Sequence, residues 1–224
     1  MSKYKAVLFD LDDTLLDRNQ AVDHMFLLIL EKCYMNVNQS VRVDMLHRFK
    51  DYDKRSYGHR DKSNVLDSFF NDFPPLYRLP RHEIQDFWNT HFPHCFSIDQ
   101  STLNILNMIK KQVKVAIVTN GSSQRQKAKI MNTDLNSYVD VIIISEEVGY
   151  CKPDKRIFEL ALNKLNVEPE DALFVGDDLE KDIVGCQNAS IKGIWYNPQM
   201  SNNDTEIKPD AEVDSLGNLV EYFT

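Results

Sequence analysis

The chain has 224 residues, enough for one α/β domain with an insertion or for two small domains. Apolar residues make up 42% and charged residues 27%, a composition that excludes a disordered chain. The net charge is −8 and the lysines and arginines are scattered, which argues against a nucleic-acid backbone or an anionic membrane as partner.

The first predicted element is a strand over residues 4–9, whose apolar run Ala6-Val7-Leu8-Phe9 is short enough to be buried on both faces. Residues 17–96 then show no buried strand. Helical patterns cover 21–33, 41–52, 63–70 and 82–91, punctuated by Pro74, Pro75, Pro80 and Pro93. A helix over 102–111 follows, then strands over 113–118 and 139–144. Asp154 caps a helix over 156–165, and a strand at 172–175 leads to a helix at 179–188. A weaker strand at 193–196, a short edge strand at 211–213 and a closing helix at 216–223 complete the chain. Strands alternating with helices predict a doubly wound parallel α/β sheet, with residues 1–16 and 97–224 as the core and 17–96 as an all-helical insertion after the first strand. An insertion there is expected to act as a lid over the sheet edge. Trp88, Phe87, Phe92 and Phe96 are expected to pack it.

Four constellations follow the predicted strands in order. Asp10-Leu11-Asp12-Asp13-Thr14 follows the first and Thr119-Asn120-Gly121 the second. Lys152-Pro153-Asp154 opens the helix after the third, and Gly176-Asp177-Asp178, with Asp182 beyond, follows the fourth. Each alone is compatible with a turn or a cap. Together they put carboxylates, a hydroxyl and a lysine at the carboxyl edge of a parallel sheet, where open α/β sheets hold ligands. Two carboxylates two positions apart suit nucleophilic attack by one and proton transfer by the other. Asp10, Asp12, Asp177, Asp178 and Asp182 would converge with only Lys152 nearby, a cluster that calls for a divalent cation.

With these motifs the chain resembles the haloacid dehalogenase-like hydrolase superfamily, in the branch with a helical cap after the first strand. The resemblance implies a Mg²⁺-dependent phosphomonoester hydrolase. Asp10 would be the nucleophile that becomes a phosphoaspartate, and Asp12 the acid and base. Thr119, Asn120 and Lys152 would bind the phosphoryl group. Asp10, the Asp12 backbone carbonyl and Asp177 would hold Mg²⁺, with Asp178 and Asp182 behind them on metal-bound waters or on Lys152. The implied partner is a small phosphorylated metabolite, such as a nucleoside monophosphate or a sugar or acid phosphate. Arg18, Tyr57, His59 and Arg60 are candidate substrate contacts in the insertion. Carbon–halogen hydrolysis would need neither metal nor Asp12. A phosphomutase and a non-catalytic module are the remaining alternatives. Ser190 stands where the family usually has glycine.

Cys33, Cys95, Cys151 and Cys186 form no C-x-x-C pair and are expected to be reduced thiols in a cytoplasmic protein. No apolar stretch reaches the length of a membrane span, and the first residues lack the pattern of a signal peptide. The six histidines show no H-x-x-x-H pair for zinc. Oligomeric state is not written in the sequence.

Overall fold

The computed structural model describes residues 3–59 and 61–223. They form two compact units, Met1–Asp17 with Ile98–Thr224 and Arg18–Ser97.

The first unit is built on a six-stranded parallel sheet in the order β3-β2-β1-β4-β5-β6. Its strands are β1 (Ala6–Phe9), β2 (Lys114–Thr119), β3 (Val141–Ile144), β4 (Ala172–Gly176), β5 (Lys192–Tyr196) and β6 (Ala211–Val213). β1 lies at the centre, with Phe9 level with Ile117 of β2 on one side and Val175 of β4 on the other. Succession runs outward from β1 to β3, then returns to β4 on the opposite flank. The order therefore reverses at β1, and the carboxyl ends of β1, β2 and β4 are neighbours. β1 and β4 are buried throughout, so continuous apolar runs rather than alternating ones mark them.

Helices flank the sheet: α5 (Gln100–Lys110), α6 (Ser123–Asn132), the single turn α7 (Ser145–Val148), α8 (Lys155–Leu165) and the short α9 (Gly185–Asn188). The Asp99, Ser122 and Asp154 side chains cap α5, α6 and α8 by accepting from backbone N–H groups in their first turns. α8 buries Ile157, Phe158, Ala161, Leu162 and Leu165 on one stripe. Phe158 meets Phe174 of β4 edge to face at 5.0 Å. Each large apolar side chain buried there contributes about 1.5–3 kcal/mol. The expected helix at 179–188 is interrupted. Leu179–Val184 is π-helical, with the Ile183 N–H reaching back to the Asp178 carbonyl, and only Gly185–Asn188 is α. The closing segment Leu216–Tyr222 is 3₁₀ rather than α-helical.

The second unit holds α1 (Arg18–Cys33), α2 (Gln39–Arg55), α3 (Ser63–Asp72) and α4 (Arg81–His91), followed by the 3₁₀ turn Phe92–Cys95. Its core is aromatic: Phe26, Phe49, Phe69, Phe70, Trp88 and Phe92 are buried, with Phe49 and Phe69 at 5.4 Å. Phe96 is buried too, whereas Phe87 is half-buried against His91. Among the described residues no helix is long and apolar enough to cross a membrane.

Candidate active site

The site is assembled at the carboxyl edge of β1, β2 and β4. The Asp10 N–H donates to the Val175 carbonyl at 2.9 Å, which continues the β1–β4 pairing one residue past the strand. The chain then turns sharply. Asp13 adopts φ +62°, a left-handed conformation that aspartate tolerates better than most residues, and its N–H donates to the Leu16 carbonyl at 2.7 Å.

Lys152 comes from the loop between β3 and α8. Its Nζ lies 2.5 Å from Asp10 Oδ1 and 2.7 Å from Asp182 Oδ1, and the side chain is almost fully buried. Asn120 holds the lysine's backbone in place. Its Oδ1 accepts from the Lys152 N–H at 2.8 Å and its Nδ2 donates to the Lys152 carbonyl at 3.0 Å. The Asn120 amide is thus a brace for Lys152, and only its backbone N–H remains for the expected phosphate contact. Thr119 ends β2 with its hydroxyl accepting from Gln126 Nε2 at 2.6 Å.

Asp10, Asp177 and Asp182 present carboxylate oxygens within 4.8 Å of one another. Asp177 follows β4. Its backbone carbonyl accepts from Trp195 Nε1 at 2.8 Å, and its Oδ1 accepts from Thr14 Oγ1 at 3.3 Å. Asp182 sits over Gly176, where a Cβ would collide with the Asp182 carboxylate. The glycine is therefore what lets this carboxylate reach Lys152.

Electrostatics follow from this crowding. Burial pushes the Asp177 carboxyl up to about 8, reinforced by Asp10 and Asp182. Burial also pushes Asp10 up, to about 7, against the opposing pull of Lys152. Burial works against the Lys152 charge, but Asp10 and Asp182 outweigh it and raise its pKa. The lysine is therefore held charged while the carboxylates compete for it.

Several expectations need correction. Lys152 is not the only cation among the carboxylates. Lys129 Nζ lies 2.7 Å from both oxygens of Asp12. The Asp12 carboxylate consequently faces α6, outside the trio that converges, so of Asp12 only the backbone carbonyl stays a candidate ligand. Asp178 does not face Lys152: it caps the π-helical segment and pairs with Lys181. Arg18, a candidate substrate contact, also pairs with Asp53 inside the helical unit, with Nη2 2.8 Å from Oδ1 and Nη1 2.6 Å from Oδ2. The Tyr57 ring packs 4.9 Å from that guanidinium. His59 is exposed and helps line a hollow of about 420 Å³ with Tyr52, Arg55 and Asn64. Arg60 lies outside the described residues.

Thr14, Gln126, Lys129 and Trp195 are site neighbours to which the sequence reading assigned no role. For Gln126 and Lys129 a signal exists. They share one helical stripe with the buried Ile130, and a glutamine and a lysine on the buried face of a helix need a polar partner inside.

The carboxylate trio offers only oxygen donors, which suits a hard divalent cation such as Mg²⁺. Among the described residues, Asp10, Asp12, Asp177 and Asp182 pair with Lys129 and Lys152, so four carboxyl groups meet two lysine cations. A divalent charge offsets that surplus.

The sequence and the fold are shared with known proteins. A profile of the haloacid dehalogenase-like hydrolase family matches residues 7–196. The chain belongs to that family, in the branch with a helical cap between the first two strands, and is a phosphatase within it. The pyrimidine 5′-nucleotidase YjjG of Escherichia coli is 39% identical over 118 residues, a match that spans 52% of each chain. The glyceraldehyde 3-phosphate phosphatase of Pyrococcus furiosus is 28% identical over 235 aligned positions, covering 100% of this chain and 94% of that one. Among solved structures, the magnesium-bound HAD-hydrolase YfnB of Bacillus subtilis superposes with a TM-score of 0.79 at 24% identity over 99% of both chains.

Proposed function

We propose that the protein is a Mg²⁺-dependent phosphomonoester hydrolase that works through a phosphoaspartate on Asp10. The observation that carries this reading is the buried Asp10 held 2.5 Å from Lys152 beside Asp177 and Asp182. Asp10 Oδ attacks phosphorus as the bond from phosphorus to the leaving oxygen breaks. Asp12 gives that oxygen its proton and then takes one from the water that cleaves the phosphoaspartate, releasing inorganic phosphate. Lys152 and the Thr119 hydroxyl meet the phosphoryl oxygens. Asp10, Asp177 and the Asp12 carbonyl would hold the cation, which would supply charge neutralisation to the phosphoryl group.

The substrate class we assign is a small phosphorylated metabolite, either a nucleoside monophosphate or a sugar or acid phosphate. The names borne by YjjG and by the Pyrococcus furiosus enzyme support it. The test is hydrolysis of p-nitrophenyl phosphate and a panel of phosphorylated metabolites with and without Mg²⁺, beside Asp10→Asn. Activity that needs Mg²⁺ and vanishes in Asp10→Asn is expected. Equal activity in Asp10→Asn would end the reading.

A further inference from the structure

The two carboxylates of the Asp10-Leu11-Asp12 pair each meet a different lysine. Asp10 has Lys152, and Asp12 has Lys129, which is only 4% exposed. The neighbouring Lys127 on the same helix points outward to Glu147. Sequestering one lysine of a polar helix is costly unless its partner is fixed and close. Here it is, with both Asp12 oxygens 2.7 Å from Lys129 Nζ.

Gln126 completes the arrangement one turn earlier. Its Nε2 donates to Thr119 Oγ1 at 2.6 Å and to Asp12 Oδ2 at 3.2 Å. One amide nitrogen therefore spends its two protons on the two groups that would act on opposite ends of a phosphate ester. Because the Thr119 hydroxyl accepts from Gln126, its own proton is left to donate. The bond it makes to the Asn120 carbonyl is long, 3.4 Å, and easily exchanged for a phosphoryl oxygen. Gly121 makes room for this: at φ +140° it packs where a Cβ would sit 3.2 Å from Gln126 Cγ.

We propose that Lys129 is a positioning residue of the reaction: it fixes the Asp12 carboxyl group, which carries a proton when substrate is bound and passes it to the leaving oxygen, while Gln126 ties that group to the Thr119 hydroxyl. This deepens the phosphatase reading and rests on it. A lysine that merely filled space would affect all substrates alike. A lysine that sets the proton donor affects most the esters whose leaving group needs a proton.

The experiment compares kcat/KM for p-nitrophenyl phosphate, whose leaving group departs as a stable anion, with that for phenyl phosphate, which has the same shape and a more basic leaving group. Both are measured with Mg²⁺ on wild type and on Lys129→Met. We expect Lys129→Met to lose about 100-fold on phenyl phosphate and no more than about 5-fold on p-nitrophenyl phosphate. Should Lys129→Met fail to fold by circular dichroism, Lys129→Gln keeps a donor without the charge and is expected to show the same bias. Ethylammonium added to Lys129→Ala should restore phenyl phosphate turnover beyond an equal concentration of sodium chloride. Equal losses on both esters, or no loss, would overturn the proposal while the phosphatase reading stands. A wild type inert on both esters would overturn that reading and this proposal with it.

Discussion

Both units bury charge, and they do so in opposite ways. In the helical unit Arg18 and Asp53 form a complete pair: one cation, one anion and two close contacts, with the Tyr57 and Phe92 rings against the guanidinium. At the sheet edge of the other unit, four carboxylates share two lysines. A balanced buried pair asks for nothing further. An unbalanced one stores repulsion that a bound cation relieves, and that surplus marks the edge as a site.

The comparison can be pressed first at the nucleophile. Asp10→Asn removes the attacking carboxylate and should cut turnover by about a thousandfold or more, read as Mg²⁺-dependent phosphate release. Next comes the balanced pair. Arg18→Met leaves Asp53 buried alone and should cost about 3–5 kcal/mol in denaturant unfolding, while Arg18→Met with Asp53→Leu should recover most of it. If the single and double variants are equally unstable, the pair is not the self-contained unit described above.

The surplus side predicts the reverse sign. Without metal the folded protein holds a proton on Asp177 up to about pH 8, whereas the unfolded chain releases it near pH 4. The folded state therefore binds more protons across that window, and metal-free stability should fall as pH rises from 5 to 8. Asp177→Asn should stabilise the metal-free protein at pH 8 by on the order of 1–3 kcal/mol, with little effect at pH 5. A thermal melt in EDTA at both pH values checks this, and a destabilised variant at pH 8 would remove the argument from surplus charge.

The smallest effect is structural. Ser190 sits at φ +62° just past α9, where the Ile191 N–H reaches the Cys186 carbonyl at 3.0 Å. Such a helix end favours glycine, so Ser190→Gly should add about 1 kcal/mol to stability without changing turnover.

The sheet was legible in the sequence because strands buried on both faces show as unbroken apolar runs, and the four motifs stand directly at their ends. Ser190 was legible as the departure from glycine, and its backbone is in the glycine-favouring region. α6 escaped because Ser123–Asn132 is mostly polar and has few apolar residues to show a period. With α6 hidden, Lys129 and Gln126 were hidden too, so the partner of Asp12 was missed. Asp178 was not separated from Asp182 in the sequence for a different reason. Four acidic residues in six positions look alike in a sequence, and the π-helical turn at Leu179–Val184 separates Asp182, aimed at Lys152, from Asp178, aimed at Lys181. The Arg18–Asp53 pair was not legible because Asp53 is 35 residues away along the chain.

Calorimetric titration of Mg²⁺ into the metal-free protein at pH 8 and into Asp177→Asn tests the central claim most directly. The surplus of carboxylates predicts one saturable site in the wild type, with proton release visible as a dependence of the heat on the buffer, and loss of that site in Asp177→Asn. Heats that never saturate in the wild type, or an identical isotherm in Asp177→Asn, would contradict it.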